Sequence, residues 1–465
     1  MTVDTRGATY GPEAVVIGGG LGGLLAAWVL AGYARSVTIV ERDVYPSGAL
    51  FRKGVPQGRH LHVLGTGGQE AMEQLLPGVT NDLIAAGALR LPFPQGVLVC
   101  GRNGWEQRLP DPRHSLLCCT RPLLDEVVRN RVLAEQQRTG RSRIQVLQGA
   151  EVIGLLGDPH LITGVRVRLR KGAEEVREIS ADFVVDASGR SSRAPRWLQA
   201  LGCATPQEDE VDSRLAYASR LLRIKGADKV GINMQPRPHC PRGGTLVPVE
   251  GDRWLLTLYG FREHQPNTDQ EEFLRFARTL PHSYIHDIVQ DAEALSPVFG
   301  FRGMSNRRRH YDQLSGLPRR FLAVGDAVCT FNPVYGQGMS VAALGVLALS
   351  GVLEQHDLVP GITAQAQRAV AHAADGAWIT ATGADRPYTE AGTTRNGFGQ
   401  RFQDWYVNRL ACRSPIDRVV SKAFVDVALL TAPPARLFSP AVAWRTLLLP
   451  SRPGPADPPG SMDAV

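Results

Sequence analysis

Ala14-Val-Val-Ile-Gly-Gly-Gly-Leu-Gly-Gly-Leu-Leu-Ala-Ala-Trp28, continued by Val37-Thr-Ile-Val-Glu-Arg42, decides how the rest of the chain is read. The apolar run Ala14–Ile17 has the pattern of a buried parallel strand. Gly18, Gly20 and Gly23 then form G-x-G-x-x-G, and an apolar-periodic helix follows to about Ala34. A second strand, Val37 to Val40, ends at Glu41. In this order Gly18 makes the tight turn, Gly20 lets backbone approach a pyrophosphate, and Gly23 lets the helix lie on the strand. Free amides and the positive end of the helix dipole would face the phosphates. Glu41, 21 residues after Gly20, stands where a carboxylate accepts hydrogen bonds from an adenosine ribose.

Working outward, the 465 residues allow two or three domains around a large core. Hydrophobic residues make up 43% and charged residues 21%, the balance of an ordinary globular enzyme. The net charge of +7 is spread along the chain, and Arg307–His310 is too short a basic run to mark a nucleic-acid binder. It suits anionic small molecules or a substrate on an acidic carrier. The seven cysteines, at 100, 118, 119, 203, 240, 329 and 412, fit neither a zinc site nor a disulfide framework, so no metal is expected. His60 and His62 lack a third ligand nearby. Residues 1–13 carry no signal-peptide pattern and no run of eighteen apolar residues occurs, so a cytoplasmic protein without stable membrane insertion is expected.

After the first unit comes Phe51-Arg-Lys-Gly-Val-Pro-Gln-Gly-Arg-His-Leu-His62, a segment placed to reach over a bound dinucleotide. Helices are expected over 67–76 and from Arg121, and short β runs over 144–179. Ala181-Asp-Phe-Val-Val-Asp-Ala-Ser-Gly-Arg190 repeats the pattern of a buried strand ending in an acid and a glycine turn. Residues 215–259 differ in kind: they alternate, and Glu250-Gly251-Asp252 turns a hairpin. Helices are expected over 269–279 and 283–294. Phe321-Leu-Ala-Val-Gly-Asp-Ala-Val328 returns to the parallel pattern, followed by the loop Phe331-Asn-Pro-Val-Tyr-Gly-Gln-Gly-Met-Ser340 and a long apolar helix. Asp326 ends that strand, and Gly336, Gly338 and Ser340 open the helix. A second dipole-bearing helix start is therefore expected some 300 residues after the first.

Three of these stretches, GGGLGG at 18–23, DASGR at 186–190 and VGDAVCTFNPVYGQGMS at 324–340, resemble the FAD-binding motifs of the aromatic-hydroxylase-like flavoprotein monooxygenases. With RKGVPQGRHLH at 52–62 and NRRRHYDQL at 306–314, the chain looks like the actinomycete polyether-ionophore polyene epoxidases. Those usually have histidine where this chain has Gln337. The resemblance implies an α/β fold: an FAD-binding Rossmann-like domain of the glutathione-reductase/aromatic-hydroxylase type, with an inserted antiparallel-sheet substrate domain and a helical C-terminal region. Its parts would be 1–204 and 311–385 for the FAD-binding domain, 205–310 for the sheet lobe, 386–450 for the helical region and 451–465 for a disordered tail. FAD is the implied cofactor, held by Gly18, Gly20, Gly23, Glu41, Arg42, Arg52, Arg121, Asp186, Gly189 and Asp326. Backbone at Gly336, Gln337, Gly338 and Met339 would lie beside the isoalloxazine, with no side chain assigned as catalytic.

The implied reaction uses O2 and transient NAD(P)H, through a C4a-hydroperoxyflavin, to epoxidise or hydroxylate a lipophilic polyketide-type polyene in antibiotic biosynthesis. A non-redox FAD-containing cyclase and a flavin-dependent prenyl-chain reductase are the alternatives. Tyr217, Leu246, Phe331 and Pro333 are the expected substrate contacts. Because the 215–259 sheet must cover something other than the parallel sheet, a largely apolar cavity between it and the flavin is expected.

Overall fold

The computed structural model describes residues 11–108, 113–139, 143–170, 175–390, 398–450 and 452–460. Five parallel strands form its centre, in the order Phe321–Ala323, Phe183–Asp186, Glu13–Ile17, Ser36–Glu41, Arg143–Gln148. Val15, Val16, Val184, Val185 and Leu322 are buried, as continuous apolar runs must be in a sheet covered on both faces. The chain leaves the middle strand in one direction and later returns on its other side. The switch point lies between Glu13–Ile17 and Phe183–Asp186, where strand ends open a crevice.

Helix Leu21–Leu30 is buried almost all round and packs against helix Gly338–His356. The latter is, among the described residues, the one helix long and apolar enough to cross a membrane. Here it is a core element: Ala343, Val346, Leu349 and Leu353 are buried in the main core, and it also packs on helices Thr66–Leu75 and Thr363–His372. An antiparallel meander of Ala150–Gly157, Ile162–Leu169 and Glu175–Ser180 follows the parallel sheet.

A nine-stranded mixed sheet holds Glu208–Arg223, Gly231–Met234, Arg242–Val249, Arg253–Phe261 and Phe299–Arg309. It also draws in Val97–Gly101, Gly104–Trp105 and Cys329–Thr330 from outside residues 205–310. The hairpin turns at Gly251 and Asp252, both left-handed at φ +71° and +54°. One face, with Ala218, Leu246, Leu256 and Leu258, packs on helices Gln270–Arg278 and Tyr284–Val289. The opposite face carries Leu215, Tyr217, Tyr259, Phe261 and Met304, closed by Tyr388, whose ring stacks on Phe261 at 4.1 Å. The second helix stops at Val289, short of the expected 294, because Glu293–Ala294 pair with Arg223 and Leu222 at an available sheet edge.

Helices Phe398–Arg413, Arg418–Ala428 and Pro440–Leu448 close on Leu410, Val420, Ala423 and Val442. Asp417 caps the middle one by accepting from the Val419 and Val420 amides and pairs with Arg413 and Arg445. The expected disordered tail is partly laid down. Trp105 N donates to Pro455 O at 2.9 Å, Gly454 N to Asn103 O at 2.8 Å, and Asn103 Nδ2 to Arg452 O at 2.8 Å. Its prolines remove donors, but its carbonyls still accept, so this stretch is held by the sheet edge it covers. Residues 451 and 461–465 of that expectation lie outside the described ones.

Candidate functional site

One continuous cavity of about 310 Å³ occupies the switch point and runs from the first glycine loop to the nine-stranded sheet. At its first end, Gly23 permits the close packing: a Cβ there would lie 1.9 Å from Gly18 O. Gly20 is different, since a Cβ would meet nothing nearer than Arg52 Nη2 at 3.8 Å and would project into the open cavity. No side chain caps the helix that begins after it, so its first amides are available to an anion.

Glu41 lines this end but has partners of its own. Its Oε2 accepts from Gly19 N at 2.7 Å and pairs with Arg52 at 3.1 Å, while Oε1 accepts from Asp43 N at 2.9 Å. Arg52 also pairs with Asp125 at 3.8 Å and lies over the Tyr45 ring. Asp125 in turn holds Arg121 through Nε at 2.7 Å. This alternating chain of charges fixes both expected arginines against the wall. Arg42 lines the same end, reaching Gly54 O at 3.4 Å.

Asp186 is fully buried and does not line the cavity. Its carboxylate accepts from the Ser188 amide, the Ser188 hydroxyl and the Ser192 hydroxyl, so it shapes the turn whose Ala187, Ser188 and Gly189 do line it. Asp326 lies at the other end of the switch point, with no hydrogen-bond partner among the described residues. Burial pushes its carboxyl up to about 6, against the opposing pull of Arg121 and Arg190. Beyond it, Gly336, Gly338, Met339 and Ala342 line the cavity where helix Gly338–His356 begins, also without a side-chain cap. Gln337 is buried behind that wall, donating through Nε2 to Ala428 O at 3.2 Å.

A site of this shape has donors without acceptors at both helix starts and an acceptor without donors at Asp326. It fits a molecule with phosphates at one end and hydroxyls in its middle. A family model described as "FAD binding domain" matches residues 12–356. The chain belongs to that family. FAD is therefore the chain's cofactor, and the residues lining this cavity fit it. The protein is also 32% identical over 388 residues to Protein Rv3254 of Mycobacterium tuberculosis, covering 79% of this chain and 78% of that protein. Its fold is similar to the flavin-dependent brominase Bmp2, with a TM-score of 0.65, 14% identity and coverage of 90% and 93% of the two chains. It is likewise similar to p-nitrophenol 4-monooxygenase PnpA from Pseudomonas putida, at TM-score 0.60, 17% identity and coverage of 90% and 98%. PqsL of Pseudomonas aeruginosa, a probable FAD-dependent monooxygenase, gives 0.58 at 16% identity, covering 90% and 100%. The fold is thus that of flavoprotein monooxygenases and halogenases.

In this flavoprotein, Gly18, Gly20, Glu41, Arg42, Arg52, Arg121, Gly189, Asp326, Gly336, Gly338 and Met339 all line this cavity, while Gly23 and Asp186 lie outside its lining. From the segment at 51–62, Gly54, Val55, Gln57, His60, Leu61 and His62 line the same cavity. Arg59 is held between the rings of Phe51 and Phe299, at 4.1 and 4.3 Å. Of the expected substrate contacts, Tyr217, Phe331 and Pro333 line the cavity and Leu246 does not, being fully buried on the helix side of the sheet.

Two features had no signal in the sequence. Met304 joins Tyr217 as the sheet's contribution to the cavity. Asp385, fully buried, accepts from Asn306 Nδ2 at 2.6 Å, from Asn332 Nδ2 and from the Tyr335 hydroxyl, and so ties down the loop at 331–335. Burial pushes its carboxyl up to about 6, against the pull of those hydrogen bonds.

The expected apolar substrate cavity is smaller than the alternation implied. The cavity meets the nine-stranded sheet through Tyr217 and Met304, and Phe301, Tyr259, Phe261 and Tyr388 fill the neighbouring space. Aromatic side chains on that face satisfy one another, so its alternation did not demand an open volume.

Proposed function

We propose that the protein is an FAD-dependent monooxygenase that transfers one oxygen atom of O2 to an unsaturated, largely apolar substrate. NAD(P)H acts as a transient reductant, and the products are the epoxide or hydroxylated substrate, NAD(P)+ and water. The observation that carries this reading is the single cavity joining the glycine cradle and Asp326 to an end walled by Tyr217, Met304, Phe331 and Pro333.

FAD, when bound, supplies the redox chemistry and the activation of O2. The chain binds, orients and excludes water. Asp326 would accept hydrogen bonds from the ribityl hydroxyls, which relieves its cost of burial. The uncapped start of helix Gly338–His356 would offer its amides to the flavin and favour negative charge there. The 51–62 segment and the loop at 331–333 wall the cavity and would shield bound FAD from water. We read the substrate as a polyketide-type polyene whose reacting part is compact, since two residues of the sheet, not a whole face, meet the cavity.

The test is anaerobic mixing of purified yellow protein with NADPH, followed by aeration in 18O2 with a polyene substrate. Bleaching of the flavin absorbance and one 18O atom in the product are expected. Flavin that never bleaches would instead favour the non-redox cyclase.

A further inference from the structure

We propose that the sheet end of the cavity is a subsite for an acceptor oxygen, and that the substrate carries a neutral carbonyl seated on His60 and Tyr217. This rests on the monooxygenase reading above and names a chemical feature of its substrate.

His60 is 3% exposed and lines the cavity. Its Nδ1 lies 2.8 Å from Ser219 Oγ, which lies 2.7 Å from Thr257 Oγ1. Counting protons along this buried chain fixes the tautomer. If Nδ1 carried the proton, Ser219 would donate to Thr257, and the Thr257 hydroxyl would be left buried with no acceptor among the described residues. The reverse order makes every bond: Thr257 donates to Ser219, Ser219 donates to Nδ1, and the proton of the ring sits on Nε2. Nε2 has no protein partner among the described residues. Burial, with His62 and Arg59 nearby, lowers the ring to about 3, so it is neutral at physiological pH.

Tyr217 is 2% exposed and lines the same cavity, and its hydroxyl is buried without a partner among the described residues. Its ring stands perpendicular to His60, with centroids 4.5 Å apart. A buried donor without an acceptor is costly, and such groups persist where a ligand completes them. Two neutral donors, carried on neighbouring rings 4.5 Å apart, suit the lone pairs of a carbonyl oxygen. A carboxylate would call for a cation, and the nearby Arg190 is engaged with Ser305 O and Gly303 O at 2.9 and 3.0 Å. Met304, Phe331 and Pro333 supply the apolar wall for the carbon skeleton.

The experiment titrates FAD-loaded protein with 1-tetralone and with tetralin, the same skeleton without the carbonyl, following flavin absorbance. Tetralone should bind about tenfold more tightly. Tyr217→Phe should cut that preference to about threefold while leaving the thermal midpoint of substrate-free protein unchanged or raised, because it removes an unpaired hydroxyl. Ser219→Ala, which frees the tautomer, should also reduce it. Equal affinity for the two probes, or binding of neither, overturns the proposal. So does a Tyr217→Phe variant that loses stability and keeps the full preference. Flavin that never bleaches with NADPH would defeat the monooxygenase reading instead, and the same pair followed by tryptophan fluorescence would still decide the subsite.

Discussion

Asp326 should trade stability for cofactor binding, and Asp326→Asn separates the two. In the FAD-free chain this carboxyl has no hydrogen-bond partner among the described residues and titrates near 6 instead of its ordinary 3.8. A shift of about 2 units at about 1.4 kcal/mol each sets a ceiling of about 3 kcal/mol, since one edge stays open to the cavity. Because the folded value is raised, ionisation favours unfolding. The penalty is absent below the unfolded value, grows as pH rises between about 4 and 6, and is constant above. Asparagine carries no charge to desolvate. Apoprotein with Asp326→Asn should therefore gain up to about 3 kcal/mol at pH 8 by urea denaturation, about half that at pH 5, and nothing below pH 4. The same variant should bind FAD at least about tenfold more weakly, because an amide replaces the carboxylate that would accept from the ribityl hydroxyls. An apoprotein less stable at pH 8, or an unchanged Kd for FAD, would refute the reasoning.

The roles of the two glycines should come apart by mutation. Gly23→Ala, whose Cβ would lie 1.9 Å from Gly18 O, should fail to give soluble folded protein. Gly20→Val should give a folded but colourless protein, read by circular dichroism and absorbance, because its side chain enters the cavity. Asp385→Leu should leave donors of Asn306, Asn332 and Tyr335 unpaired, at about 1–3 kcal/mol for each buried group, and lower the thermal midpoint. Asp385→Asn, which keeps one acceptor, should recover part of that loss, and full stability of the leucine variant would count against the network.

What could be read from the chain alone was whatever is local. Gly18, Gly20 and Gly23 dictate their own backbone, and the strand-then-acid pattern recurs at Asp186 and Asp326, so both cavity walls were visible as short stretches. Asp385 was not, because its partners Tyr335 and Asn306 lie 50 and 79 residues away and nothing in its own helix marks it. Leu246 shows the same limit in a strand. Alternation separates the two faces of a strand but does not say which one meets a cavity when both are buried. Tyr217 lies on the cavity face and Leu246 on the helix face. The helix expected to 294 ended early for a related reason, since a free sheet edge outweighed local propensity.

The segment at 452–460 has a consequence for the order in which the molecule assembles. Gly104–Trp105 is the last strand of the nine-stranded sheet, and the bond from Trp105 N to Pro455 O covers its outer side. That contact spans about 350 residues, and closing so long a loop costs about 3 kcal/mol more than closing one of ten residues. On a ribosome, the hairpin is made early and its cover follows about 350 residues later. Until that stretch emerges, the nascent sheet has an open backbone rim, able to pair with a neighbouring nascent chain. The proline-rich stretch thus acts late, as a seal on an edge that every earlier intermediate leaves bare.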